Sequence, residues 1–157
     1  MTKHNFADTQ ISYELSLYRT FGEGDRRRYD ALIAALQGAD PAVCFVADVG
    51  ARASEALYGV LKSYVGDFES RAFNALMVTQ LGSPAVPETA LYLLDEIRKR
   101  RNSYDGLRYL FCAALVENGN PNYRKAYAAL LAEEGERKEL MPLARWLKGT
   151  GDKTEKP

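Results

Sequence analysis

Apolar residues return at steps of three and four along almost the entire chain, and glycine or proline breaks the pattern at intervals. That spacing keeps one stripe of a helix apolar; a half-buried strand needs alternation at every second residue instead. The one alternating stretch, 42–49, runs on at helical spacing through Val46, Val49, Ala53, Leu57, Val60, Leu61 and Tyr64. The chain is therefore expected to be all-α, and its punctuation marks out about eight helices.

Asp8 is placed to open the first helix, with Ile11, Leu15, Tyr18 and Phe21 inward. Asp25 opens the second, which carries Tyr29, Leu32, Ile33 and Leu36 and stops at Gly38. Pro41 suits the first turn of a long third helix. Gly50 is a weak point inside it, because glycine costs a helix interior about 1 kcal/mol relative to alanine. Gly66 closes that helix, and Asp67 opens a fourth with Phe73, Leu76, Met77 and Leu81. A fifth begins around Pro84 to Pro87 and runs through Leu91, Leu94 and Ile97 to about Arg101. Asp105 opens a sixth that ends at Asn118-Gly119, and Pro121 starts a seventh that ends near Gly135. A last short helix carries Leu140, Leu143, Trp146 and Leu147 to Gly149. Residues 1–149 read as a single helical domain, followed by a polar tail, 150–157, expected to be disordered. Short connections make successive helices antiparallel neighbours.

The punctuation itself recurs. Asp25 precedes Gly38-Ala-Asp-Pro41, Asp67 precedes Gly82-Ser-Pro84, and Asp105 precedes Gly119-Asn-Pro121. The Asp-to-Pro spans are 16, 17 and 16 residues and the Asp-to-Asp steps are 42 and 38, the period of a two-helix repeat. One helix pair cannot bury its own apolar stripe, so such pairs stack, with about three needed for a core. At these residues the chain resembles the HEAT-like α-solenoid repeats. In Asp67-Phe-Glu-Ser-Arg71-Ala-Phe-Asn-Ala75-Leu76 an Asp opens a helix, an Arg follows within a turn and an Ala-Leu pair packs. Leu81-Gly82-Ser-Pro84 then turns the corner. Asp105, Arg108, Leu115 and Gly119-Asn-Pro121 repeat that order, and the Asp25 segment, with Arg28, follows it less closely. The resemblance covers about residues 25 to 135. It implies antiparallel hairpins stacked as a short solenoid, with Arg71 and Arg108 in supporting roles and Trp146 as a lid on the last layer.

Composition removes several functions. The 21 Lys+Arg balance 21 Asp+Glu, so no general electrostatic grip on nucleic acid or anionic membrane is expected. No apolar run approaches the ~20 residues of a membrane span. The residues before Asp8 hold no apolar stretch of the kind a secretory leader needs, which makes the cytoplasm the expected location. His4 is the only histidine, and Cys44 and Cys112 stand far apart, so neither a general base, a nucleophile pair nor a metal site is expected. Both cysteines read as small core residues. Gly22-Glu-Gly24 lacks the strand and third glycine of a dinucleotide turn. Asp95-Glu96 and Glu133-Glu134 read as solvated helix faces, since adjacent residues point about 100° apart. No catalytic, cofactor-binding or metal-ligating residue is assigned.

What remains is a surface for another protein. Arg98-Lys-Arg-Arg101 ends the fifth helix, where the dipole favours cations. The chain has ten tyrosines, and tyrosine with arginine dominates protein–protein hot spots. Arg98, Arg101, Tyr104, Tyr123 and Arg124 are the candidate partner-binding residues. The expected function is that of a non-catalytic protein-binding repeat protein. One version, resting on analogy with small helical immunity and antitoxin proteins of bacteria, has it occlude a partner toxin. A scaffold or assembly adaptor, secretion or phage related, is the alternative. A HEAT-like nucleic-acid-binding protein or DNA glycosylase fits less well, given the neutral charge.

Overall fold

The computed structural model describes residues 3–103, 105–135 and 137–155. Among them there is no strand, and eight α-helices carry the fold. These are α1 (Lys3–Thr20), α2 (Glu23–Ala39), α3 (Glu55–Tyr64), α4 (Arg71–Thr79), α5 (Thr89–Lys99), α6 (Leu107–Asn118), α7 (Arg124–Glu134) and α8 (Met141–Glu155). No described helix is long and apolar enough to cross a membrane. The chain divides into two compact units, Met1–Leu81 and Gly82–Pro157. The boundary falls between α4 and α5, the two helices that the Asp67 spacing groups as one hairpin.

In the first unit α2 packs on α3, and α1 packs on α4 and on the turn Val46–Asp48. Phe21, Tyr29, Phe68 and Phe73 form an aromatic core with ring centroids 4.5 to 6.0 Å apart. Such tilted and edge-on pairs add to the apolar area they bury. The inward face of α1 differs from the apolar stripe read from the sequence. Leu15 is exposed, and among the described side chains of α1 it is Glu14 that is fully buried, at 0% exposure. Its carboxylate accepts from the Tyr29 hydroxyl at 2.7 Å and from the backbone N–H groups of Val46 and Ala47 at 2.9 and 2.8 Å.

The long third helix does not form. Pro41 sits in a turn, and the chain continues as two short 3-10 segments, Val46–Asp48 and Gly50–Arg52, before α3 starts at its Ser54 cap. Gly50 donates its N–H to Gln80 Oε1 at 2.8 Å, and a Cβ there would lie 2.9 Å from that same oxygen. A side chain at this position would push the Gln80 amide aside, and the bond takes the N–H that a continuous helix would use internally.

The three evenly spaced aspartates do different work. Asp25 lies inside the first turn of α2, buried, and accepts from the N–H groups of Glu69 and Ser70 at 3.0 and 2.9 Å. Asp67 is exposed, and Ser70 caps α4 instead by accepting from Phe73 N. Asp105 accepts from Leu107 N at 3.0 Å beside the start of α6. The first helix likewise begins at Lys3, ahead of Asp8, and the last runs through Gly149 to Glu155.

In the second unit α5 packs on α6, and α8 lies against α6 and α7. Leu93, Leu94, Ile97, Phe111, Leu115, Tyr127, Leu130 and Leu143 fill the interior, whereas Leu91 faces out. Asn118 donates to the carbonyls of Ser83 and Val86, and Asn120 donates to that of Pro87, tying the segment before α5 to the end of α6. Cys112 is buried as expected, and burial pushes its thiol up to about 11. Cys44 is exposed, so it is not the core residue its apolar neighbours indicated.

Candidate functional site

The C-terminal end of α7 gathers a cluster of charged side chains in the second unit. Gly135 ends the helix with φ at 75°, a left-handed value that favours glycine, and its N–H returns to the Leu131 carbonyl at 2.8 Å. This sharp stop lets the chain turn back through Arg137 and a 3-10 turn, Lys138–Leu140, into α8.

Glu134, the last residue of α7, has a side chain only 2% exposed. It forms a hydrogen-bonded ion pair with Arg108, whose own side chain is 3% exposed. Arg108 also donates to the Ile97 carbonyl at 2.8 Å and to Glu139 at 3.4 Å. Arg101 and Arg137 stand 3.8 and 3.9 Å from the second oxygen of Glu134. Arg101 reaches Glu133 at 3.5 Å, and Arg137 reaches Glu139 at 3.9 Å. Arg137 also donates to the Arg101 carbonyl at 3.2 Å. Burial opposes the charge on Glu134, but the Arg108 hydrogen bond and the charges of Arg108, Arg101 and Arg137 outweigh it. Together they hold the carboxyl below its ordinary value. Three guanidinium groups thus face three carboxylates, and the cluster is neutral within itself. The reading of Glu133-Glu134 as a solvated face holds for Glu133 alone.

Beside this cluster, between α7 and α8, lies a cleft of about 460 Å³. Leu131, Leu140, Met141 and Ala144 line its apolar part, and Arg137, Arg145 and Lys148 are its charged lining. Among the described residues no acidic side chain lines it. Arg145 and Lys148 are exposed and make no ion pair among the described residues. On the other side of Arg137 a smaller recess of about 300 Å³ is lined by Arg101, Ser103, Arg108 and the exposed Tyr109.

The residues singled out from the sequence do not gather on one patch. Arg98 lies exposed on α5, and Arg101, just past its end, is engaged with Glu133 and Glu134. Tyr104 lies outside the described residues. Tyr123 is half-buried in the turn before α7. Arg124 begins that helix, with its guanidinium 5.6 Å from the Trp146 ring centre and a hydrogen bond to the Leu147 carbonyl at 2.8 Å. Trp146 also packs edge-on to Tyr127 at 5.7 Å. Tyr123 and Arg124 stand at the start of α7 and Arg101 at its far end, separated by about 15 Å of helix. Arg108 is buried, with Ile97, Glu134 and Glu139 as its partners rather than an aspartate of the repeat, and Arg71 is exposed.

Sequence reading missed Met141, Arg145 and Lys148. They fall at i, i+4 and i+7 of α8, a stripe beside the inward one of Leu143, Trp146 and Leu147. The spacing was available; only the cleft wall supplied by Leu131 of α7 gives it meaning. No protein family, curated protein or solved structure matches the chain.

Proposed function

We propose that this chain is a non-catalytic protein-binding protein that receives a segment of another protein in the α7–α8 cleft. The observation that carries this reading is the cleft's make-up, an apolar lining whose charged members are all cations. Among the described residues the neighbouring acids are already matched by Arg101, Arg108 and Arg137, so Arg145 and Lys148 are free to meet charge from outside. Apolar area at the centre with charge at the rim is the usual anatomy of a protein interface.

A photo-crosslinking residue at position 141 tests the proposal in the native cell, with position 71 on the first unit as control. A discrete protein adduct from position 141 alone is expected. No adduct above the unirradiated sample removes the reading. The toxin-neutralising version makes the occupant part of a toxin, and one equivalent of the chain then abolishes that toxin's activity. The adaptor version leaves the partner's own activity intact, so the same titration separates the two.

A further inference from the structure

We infer that the segment received by the α7–α8 cleft is an acidic amphipathic helix lying alongside α8. The inference rests on the proposed function above and adds the chemistry and conformation of the occupant. The cations on the cleft carry the first part. Arg137, Arg145 and Lys148 are all of one sign, and the latter two make no ion pair among the described residues. A ligand that brought lysines would meet only repulsion there, and a neutral one would leave those cations uncompensated.

Spacing carries the second part. Met141, Arg145 and Lys148 climb α8 at helical steps, so the two cations recur within about one turn, ~5 Å along the axis. A neighbouring helix presents carboxylates at i and i+3 or i+4 with that same repeat. An extended segment presents same-face residues every ~6.6 Å and falls out of step. No strand edge exists among the described residues to hydrogen-bond an extended peptide. Apolar side chains one turn apart on the incoming helix would rest on Leu131, Met141 and Ala144. Leu140 closes the bottom of the cleft at 1% exposure, and Met141 stands at its mouth at 37%.

The base of the apolar lining, Leu140, is recessed, which favours a helix over a bilayer. A helix that binds membranes projects its apolar stripe outward into the acyl region, whereas Leu140 here lies at the base of a concavity.

The test uses the full chain and three stapled, fluorescently labelled peptides about five turns long. Each carries leucine on one face and Glu, Gln or Lys on the other. The Glu peptide is expected to bind ~tenfold or more tightly than the Lys peptide, and added salt should narrow the gap. In the double variant Arg145→Glu, Lys148→Glu the preference should invert, and Met141→Asp should weaken the Glu peptide. Arg71→Glu, on α4 of the first unit, should change neither. Retained helicity by circular dichroism shows that each variant is folded. Equal binding of all three peptides, lost in Met141→Asp, overturns the acidic-helix inference and leaves the cleft as a protein site. No peptide binding alongside a position-141 cross-link to a protein also overturns the helix inference alone, whereas failure of both removes the cleft reading as well. Sedimentation with phosphatidylglycerol vesicles, lost in the charge-reversed variant while the peptides fail to bind, assigns the cleft to membrane and overturns the inference.

Discussion

The two units solve the same problem, joining segments distant in sequence, with opposite chemistry. In the first unit the long-range polar ties include two buried carboxylates that accept from backbone N–H groups. Glu14 holds Val46 and Ala47, and Asp25 holds Glu69 and Ser70. In the second unit the ties are donors aimed at backbone carbonyls. Asn118 and Asn120 hold Ser83, Val86 and Pro87, and Arg108 holds Ile97. An amide tie carries no charge, and the charge of Arg108 is met by Glu134 and Glu139. Glu14 has no cation among its hydrogen-bond partners. Burial raises its carboxyl above the ordinary value, and the bonds from Tyr29, Val46 and Ala47 offset this only in part. The Glu14 carboxylate ties a helix start firmly but leaves that tie sensitive to protons in a way that the amide donors of Asn118 and Asn120 are not.

The comparison breaks first at Arg108. Arg108→Ala leaves Glu134 buried without its closest partner, and a loss of about 3–5 kcal/mol is expected in urea unfolding. A loss under about 1 kcal/mol would mean that water or Arg101 and Arg137 replace it, and that the cluster is not the tie described here. In the first unit, Glu14→Ala orphans the Tyr29 hydroxyl and two backbone donors. About 2–3 kcal/mol should be lost, with faster amide exchange at Val46 and Ala47 as the local signature. Unchanged protection of those two amides would show that Glu14 is not what fixes this turn.

The pH dependence sharpens the contrast, because its sign differs between the units. The folded Glu14 carboxyl takes up a proton more readily than the unfolded one, so its contribution is complete below the unfolded value of about 4.3. It is lost as pH rises through the folded value. The stability gap between the parent chain and Glu14→Gln should therefore widen from neutrality down to about pH 4.3. Glu134 is held below its ordinary value, so its contribution is present above about pH 4.3 and fades as pH falls further. The gap to Glu134→Gln should stay constant over the first interval and narrow in the second. Parallel slopes for the two variants would erase the distinction between the units.

The smallest effects belong to the surface arginines. Arg98→Ala should leave the melting temperature unchanged, and Arg101→Ala should cost less than about 1 kcal/mol, since Arg101 and Glu133 are both well exposed. A larger loss at Arg101 would make it a working member of the Glu134 cluster rather than its outer edge.

Much of the helical framework was legible in the sequence, and the physical reason is locality. The starts and stops of α5, α6 and α7 follow from apolar steps of three and four, from Pro87 and Pro121, and from Gly119 and Gly135. A helical hydrogen bond spans only four residues. Where a partner lies further away, the pattern misleads. The sequence of α1 points Leu15 inward, yet Glu14 is buried against donors from Tyr29 and from a segment more than thirty residues on. The long third helix does not form ahead of α3, where the N–H groups of Val46 and Ala47 go to Glu14 and that of Gly50 goes to Gln80, thirty residues later. The candidate site was least legible. Glu134 looks solvated until Arg108 and Arg101 come to it from α6 and the end of α5.

By itself, then, the sequence determined that this chain is helical and where most of its helices turn, because those choices are settled among near neighbours by propensity and periodicity. The tertiary structure alone decided which charges are buried, which aspartate becomes a clamp, and that Met141, Arg145 and Lys148 border a cleft. A charge is buried only where a partner meets it, and here those partners lie on other elements.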